Sequence, residues 1–119
     1  MKSGLPFKIL ALTISFLAPP ALAGSYEDAA AAYARRSYTE ALLLWQELAA
    51  QGSAAAQYNL GALYENGQGV PKDSAAAERW YRLAAGQGLA DAQFTLGLRY
   101  ANGQNMSEAL KWYRLAAEQ

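Results

Sequence analysis

Along the chain, the apolar positions form one continuous run and then a periodic pattern. Residues 9–18 are uncharged and mostly apolar. Further on, Ala56, Leu60, Leu63 and Tyr64 fall within about 100° of one another when each residue advances 100°, and so do Ala77, Trp80, Tyr81 and Ala84. Two such stripes, separated by Asn66-Gly67-Gln68-Gly69 and Pro71, predict two antiparallel helices packed stripe to stripe. Asn66-Gly67 and Asn102-Gly103 supply left-handed residues that end a first helix. Ser53, Asp73 and Ser107, with Thr39, are placed to cap the N-termini. Gly61 and Gly97 stand inside helices, where glycine costs about 0.5–1 kcal/mol against alanine. Close approach of two helix backbones is the expected compensation.

The pattern repeats. Ala54-Ala-Ala-Gln-Tyr-Asn-Leu-Gly61 returns as Ala90-Asp-Ala-Gln-Phe-Thr-Leu-Gly97, 36 residues on, and Trp80-Tyr-Arg-Leu-Ala-Ala85 returns as Trp112-Tyr-Arg-Leu-Ala-Ala117, 32 residues on. Four residues, corresponding to Gly69-Val70-Pro71-Lys72, are therefore missing from the last hairpin, at a place where no core contact is expected to be lost. An earlier, degenerate unit shows Tyr33, Glu40-Ala41-Leu42 and Trp45-Gln-Glu-Leu48-Ala49-Ala50. Aligned on Leu-Ala-Ala, Trp45 matches Trp80 and Trp112; aligned on Glu-Ala-Leu against Glu108-Ala109-Leu110, it falls one residue off. A period near 36 predicts an all-α solenoid of about three helix pairs, in units of about 24–52, 53–88 and 89–119. Its repeated core comprises Trp45, Leu60, Gly61, Tyr64, Trp80, Tyr81, Leu96, Gly97, Tyr100, Trp112 and Tyr113.

The start of the chain reads differently. Lys2 and Lys8 precede the apolar run, Pro19-Pro20 breaks it, and Ala21-Leu22-Ala23 is an A-x-A site, so residues 1–23 read as a cleaved secretory signal. The run is about half of the roughly 20 residues a membrane span needs, and no stable span is expected after cleavage. A periodic domain of 96 residues would remain, periplasmic or secreted, with 8 basic against 10 acidic residues.

Composition then narrows the chemistry. The whole chain holds 10 Lys+Arg and 10 Asp+Glu, without the basic surplus a nucleic-acid binder uses on phosphates. It has no His and no Cys, which removes Ser–His and Cys nucleophiles, imidazole and thiolate metal ligands, and disulfides. Glu78 and Arg82 are spaced to pair on a solvated face, and Glu27-Asp28 suits the first turn of a helix. No catalytic residue, metal or cofactor is assigned.

The residues Ala54-x-Ala56-x-x-x-Leu60-Gly61-x-x-Tyr64-x-x-Gly67-x-Gly69-Val70-x-x-Asp73, continuing through Ala77-x-x-Trp80-Tyr81-x-x-Ala84-Ala85-x-x-Gly88, resemble one complete Sel1-like repeat, a relative of the tetratricopeptide repeat. The third unit resembles it without the Gly-Val-x-x-Asp stretch. The resemblance implies a right-handed superhelix of α/α hairpins, a protein or peptide partner and no catalytic residue. It also implies that the first helix of each pair lines a concave face. Tyr58, Ala62 and Glu65 lie opposite the core stripe, and Phe94, Leu98 and Ala101 repeat that face, so these six are the candidate partner-binding residues. The alternative for Tyr58 and Phe94 is a wedge between adjacent first helices. Two other classes of function stand beside the binding scaffold: an envelope enzyme or cell-wall glycan or peptide binder, and a structural module of a larger solenoid. On the last helix, Lys111, Arg114 and Glu118 face outward beside half-covered Leu110 and Leu115, which favours weak self-association or a partner docking at that end.

Overall fold

The computed structural model describes residues 24–119, so the expected leader and its A-x-A site lie outside the described residues. Six helices and no strand are present among them: α1 (Tyr26–Ala34), α2 (Tyr38–Ala50), α3 (Ala54–Asn66), α4 (Ser74–Gly86), α5 (Ala90–Asn102) and α6 (Met106–Ala117). Their extensive contacts join chain neighbours in turn, α1 with α2, α2 with α3, and so on to α5 with α6. Three helix pairs stacked in sequence are a solenoid, as the repeat predicts.

All five turns use one device. Arg36, Gly52, Gly67, Gly88 and Gln104 each adopt φ between 64° and 96°. The next N–H in each case donates to the carbonyl five residues back, as Gln68 does to Leu63 at 3.0 Å and Asn105 to Tyr100 at 2.8 Å, which closes the helix end. In the last hairpin the left-handed residue is Gln104 and not Gly103, whose φ is −84°. Helix α5 ends at Asn102, the equivalent of Asn66, but with the loop shortened the left-handed reversal falls one residue later than in the second pair.

Caps follow the expectation in part. The Ala56 N–H donates to the Ser53 hydroxyl and the Ala76 N–H to the Asp73 carboxylate. In the third pair the cap is Asn105, 32 residues after Asp73, whose side chain accepts from the Glu108 N–H at 3.2 Å; Ser107 lies inside the helix. Thr39 also lies inside its helix, because the turn at Arg36 makes Ser37 the capping residue. Helix α1 opens with a reciprocal box in which Asp28 N–H donates to Ser25 Oγ and Ser25 N–H to Asp28 Oδ2.

The core is built largely of small residues, with Leu60, Leu63 and Leu96 fully buried among many alanines. Burying each leucine contributes about 1.5–3 kcal/mol. The aromatic register is settled by packing. Trp45 and Tyr81 are both 4% exposed, whereas Trp80 and Trp112 are half-buried. Trp45 thus occupies the Tyr81 and Tyr113 position, as the Glu-Ala-Leu alignment has it, and Leu44 stands where Trp80 does. At that 36-residue offset Ala50 stands in the place of Gly86 and the Gln-Gly turns coincide, while Leu48-Ala49-Ala50 falls on Ala84-Ala85-Gly86, one residue past Leu83-Ala84-Ala85, which is why the Leu-Ala-Ala alignment slips.

The helical glycines are compensated by side chain and not by backbone approach. A Cβ on Gly61 would lie 2.5 Å from Cε1 of Tyr81, and one on Gly97 would lie 2.5 Å from Cε1 of Tyr113. Each tyrosine ring rests on the bare backbone of the partner helix.

Candidate functional site: the face of the first helices

Helices α1, α3 and α5 lie side by side, and a polar aromatic contact links each to the next. Asn59 Nδ2 on α3 donates to the Tyr26 hydroxyl on α1 at 2.6 Å, and Tyr58 on α3 shares a 3.2 Å hydrogen bond with Thr95 on α5. Asn59 and Thr95 are 36 residues apart, so Tyr26 plays in the first pair the part that Tyr58 plays in the second. Each of these aromatics leans on the second helix of its own pair at nearly the same tilt. Tyr26 lies 6.3 Å from Trp45 at 47°, Tyr58 lies 5.4 Å from Tyr81 at 46°, and Phe94 lies 5.6 Å from Tyr113 at 46°.

The six residues expected on this face therefore have different surroundings. Tyr58 is half-buried as an inter-helix wedge. Glu65 accepts two hydrogen bonds from Arg99 Nη1, at 2.6 and 2.8 Å. Its carboxylate is thereby held within the stack. Phe94 and Leu98 are exposed, and Ala101 is half-buried. Ala62 is half-buried and borders a cavity of about 270 Å³ lined also by Tyr26, Ala30, Tyr33, Trp45 and Asn59. The structure gathers Ala62 with the first unit and leaves Phe94 at the far end of the stack. Tyr26, Tyr33 and Asn59 are missing from the sequence expectation, since α1 is too degenerate for its face to be assigned by period alone.

Arg99 is the other residue that the repeat conceals, because it stands 36 residues after the buried Leu63. Its Nη2 donates to the carbonyl and hydroxyl oxygens of Ser74, at 3.1 and 2.8 Å, and its guanidinium lies 5.9 Å from the centre of the Tyr81 ring. Ser74 is 36 residues after Tyr38, and in the preceding unit it is the long loop that reaches that place. Gly69 adopts φ 75° with its Cα facing the Tyr38 carbonyl, where a Cβ would come within 2.8 Å, and Val70 packs on the core. The four residues absent from the last hairpin thus do carry core contact, and Arg99 occupies the space they would fill.

The Tyr81 hydroxyl is pushed up to about 12, chiefly by burial, with the charge of Glu65 and the nearby Tyr58 acting in the same direction and Arg99 opposing them. Elsewhere Glu78 pairs with Arg82 at 3.1 Å and Glu108 with Lys111 at 3.0 Å.

Stacked helix pairs whose first helices share one aromatic-lined face define an α-solenoid of the binding-scaffold class. The Sel1 repeat matches three times, at residues 22–53, 54–89 and 90–119, and the chain belongs to the Sel1 repeat family. A Sel1 repeat protein from Oxalobacter formigenes is 43% identical, with TM-score 0.75 over 80% of this chain and 41% of its own. The protein c5321, a protective antigen of uropathogenic Escherichia coli strains with an SLR fold, is 38% identical, with TM-score 0.66 over 69% of this chain and 18% of its own. The ERAD-associated E3 ubiquitin-protein ligase component HRD3 of Candida glabrata is 48% identical over 46 residues, 39% of this chain and 6% of that protein. The chain spans less than half the length of each. Among the described residues no helix is long and apolar enough to cross a membrane.

Proposed function

We propose that this chain is a periplasmic or secreted, non-catalytic scaffold that binds a protein or peptide on the face of α1, α3 and α5. The Sel1 family is one of repeat scaffolds for protein–protein interaction, which supports the class. The observation that carries the reading is the cavity between α1 and α3. Tyr26, Tyr33 and Trp45 wall it with rings, and Asn59 and Ala62 form its other side. Rigid aromatics beside an amide suit an extended or helical peptide that buries one apolar side chain and hydrogen-bonds beside it. The location rests on the charged start, apolar run and A-x-A site of residues 1–23.

The test is site-specific crosslinking of the full chain, expressed with its own leader. A photoreactive residue at Ala62 is expected to capture a discrete protein in the cell envelope, while one at exposed Arg79 captures none. Ala30→Arg, an exposed residue of the same cavity wall, should abolish the capture at Ala62 without lowering the melting temperature. Capture at Arg79 alone would overturn the choice of face, and a product that keeps Met1 in place of starting at Gly24 would overturn the location.

A further inference from the structure

The stack has a second cavity, about 570 Å³, at the end formed by α5 and α6, lined by Ala90, Asp91, Phe94, Tyr113, Ala116 and Ala117. Its equivalents in the second unit are Ala54, Ala55, Tyr58, Tyr81, Ala84 and Ala85, and there α5 fills the groove. Ala84 and Ala85 are buried, whereas Ala116 is half-buried, Ala117 exposed and Phe94 51% exposed.

How a helix seats in this groove is written twice in the molecule. Gln57, at the start of α3, donates from Nε2 to the Ala49 carbonyl at 3.3 Å, and Gln93, at the start of α5, donates to the Ala85 carbonyl at 3.1 Å. Both glutamines are buried, and each accepts in turn from the glutamine that follows its own pair, Gln57 from Gln87 at 2.8 Å and Gln93 from Gln119 at 3.4 Å. A buried amide that satisfies both its donor and its acceptor fixes register more sharply than alanine contacts, because a one-residue slip would leave it unpaired. The next acceptor in this series is the carbonyl of Ala117, on the wall of the cavity.

We propose that the groove between Phe94, Tyr113 and Ala117 docks a helix of a partner protein that carries glutamine at the place of Gln57 and Gln93. The partner's residue over Phe94 is apolar, because Phe94 lacks the hydroxyl with which Tyr26 and Tyr58 hold Asn59 and Thr95. A second copy of this chain does not supply such a helix. In α1 the residue before the aromatic Tyr26 is Ser25, and its hydroxyl is engaged in capping Asp28. This groove lies apart from the cavity proposed above, so the two sites stand or fall separately.

The probe is a stapled helical peptide with the sequence of residues 89–103 and Thr95 replaced by Val, titrated into the isotopically labelled full chain. Amide shifts are expected at Phe94, Tyr113, Ala116 and Ala117. A peptide with Leu in place of its glutamine should bind about three- to ten-fold more weakly, the loss of one net hydrogen bond. Phe94→Ala, at an exposed position that leaves folding intact, should weaken both peptides. Absence of shifts at millimolar peptide, shifts confined to Tyr26 and Ala62, or equal affinity of the glutamine and leucine peptides would each overturn the proposal. Self-association in sedimentation that the peptide fails to displace would do so as well.

Discussion

At Gly61 the missing side chain matters more than the backbone freedom glycine brings. The Tyr81 ring occupies the volume a methyl group would need, and that ring is itself buried. Gly61→Ala should therefore destabilise by about 1–3 kcal/mol in urea denaturation despite its better helix propensity. Gly86 closes α4 with open space around it, and Gly86→Ala should be neutral or stabilising by about 0.4–1 kcal/mol. If both substitutions stabilised equally, the ring would not be resting on Gly61. Tyr81 also gives the fold a pH dependence. Its hydroxyl titrates near 10.0 unfolded and about 12 folded, so the folded state favours the neutral form. Its contribution is complete below pH 10 and is lost as pH rises towards 12. The difference in stability between the wild-type chain and Tyr81→Phe, followed from pH 9 to 11.5, should shrink with rising pH. A constant difference would refute the assignment.

Between elements, the instructive case is Arg99. It replaces a buried leucine of the preceding unit, yet it bonds Glu65, 34 residues earlier, and Ser74, 25 residues earlier. Arg99→Leu restores the repeat pattern but leaves the Glu65 carboxylate without its guanidinium, and it should cost about 1.5–3 kcal/mol. Adding Glu65→Leu should recover most of that loss, which a double-mutant cycle would show; strict additivity would mean the pair is uncoupled. This exchange marks the limit of the sequence reading. The helix pairs, their lengths and the 36- and 32-residue offsets are visible because alanine, leucine and glycine recur at fixed places. The partner of Arg99 is not visible, since it depends on what fills the space left by a shortened loop. The same holds for Trp45, whose register differs by one residue between two alignments and is fixed only by the ring it replaces. Glu65 lay on the expected face by angle, and only the position of Arg99 shows that its carboxylate is engaged.

Across the whole molecule, each pair leans chiefly on its neighbours, so stability is distributed by position. Helices α3 and α4 are covered on both sides, α1 and α6 on one. Hydrogen exchange should be slowest in α3 and α4 and fastest in α1 and α6, with α2 and α5 between; uniform protection would indicate a single cooperative block.

The turns differ in another respect. Gly52 and Gly88, which join one pair to the next, have no neighbouring atoms within 4 Å of the Cβ position, whereas Gly67 and Gly69, within a pair, press on Lys72 and Tyr38. Genetic duplication or deletion of a unit needs breakpoints where the joined ends meet no existing side chain. The chain provides them at 52 and 88, a whole unit apart, with the same Gln-Gly dipeptide at both. Recombination there would splice in a complete helix pair with its glutamine already in register. A crossover at 67–69 would instead sever the loop from the helix it braces. The molecule is thus lengthened or shortened most readily in whole pairs.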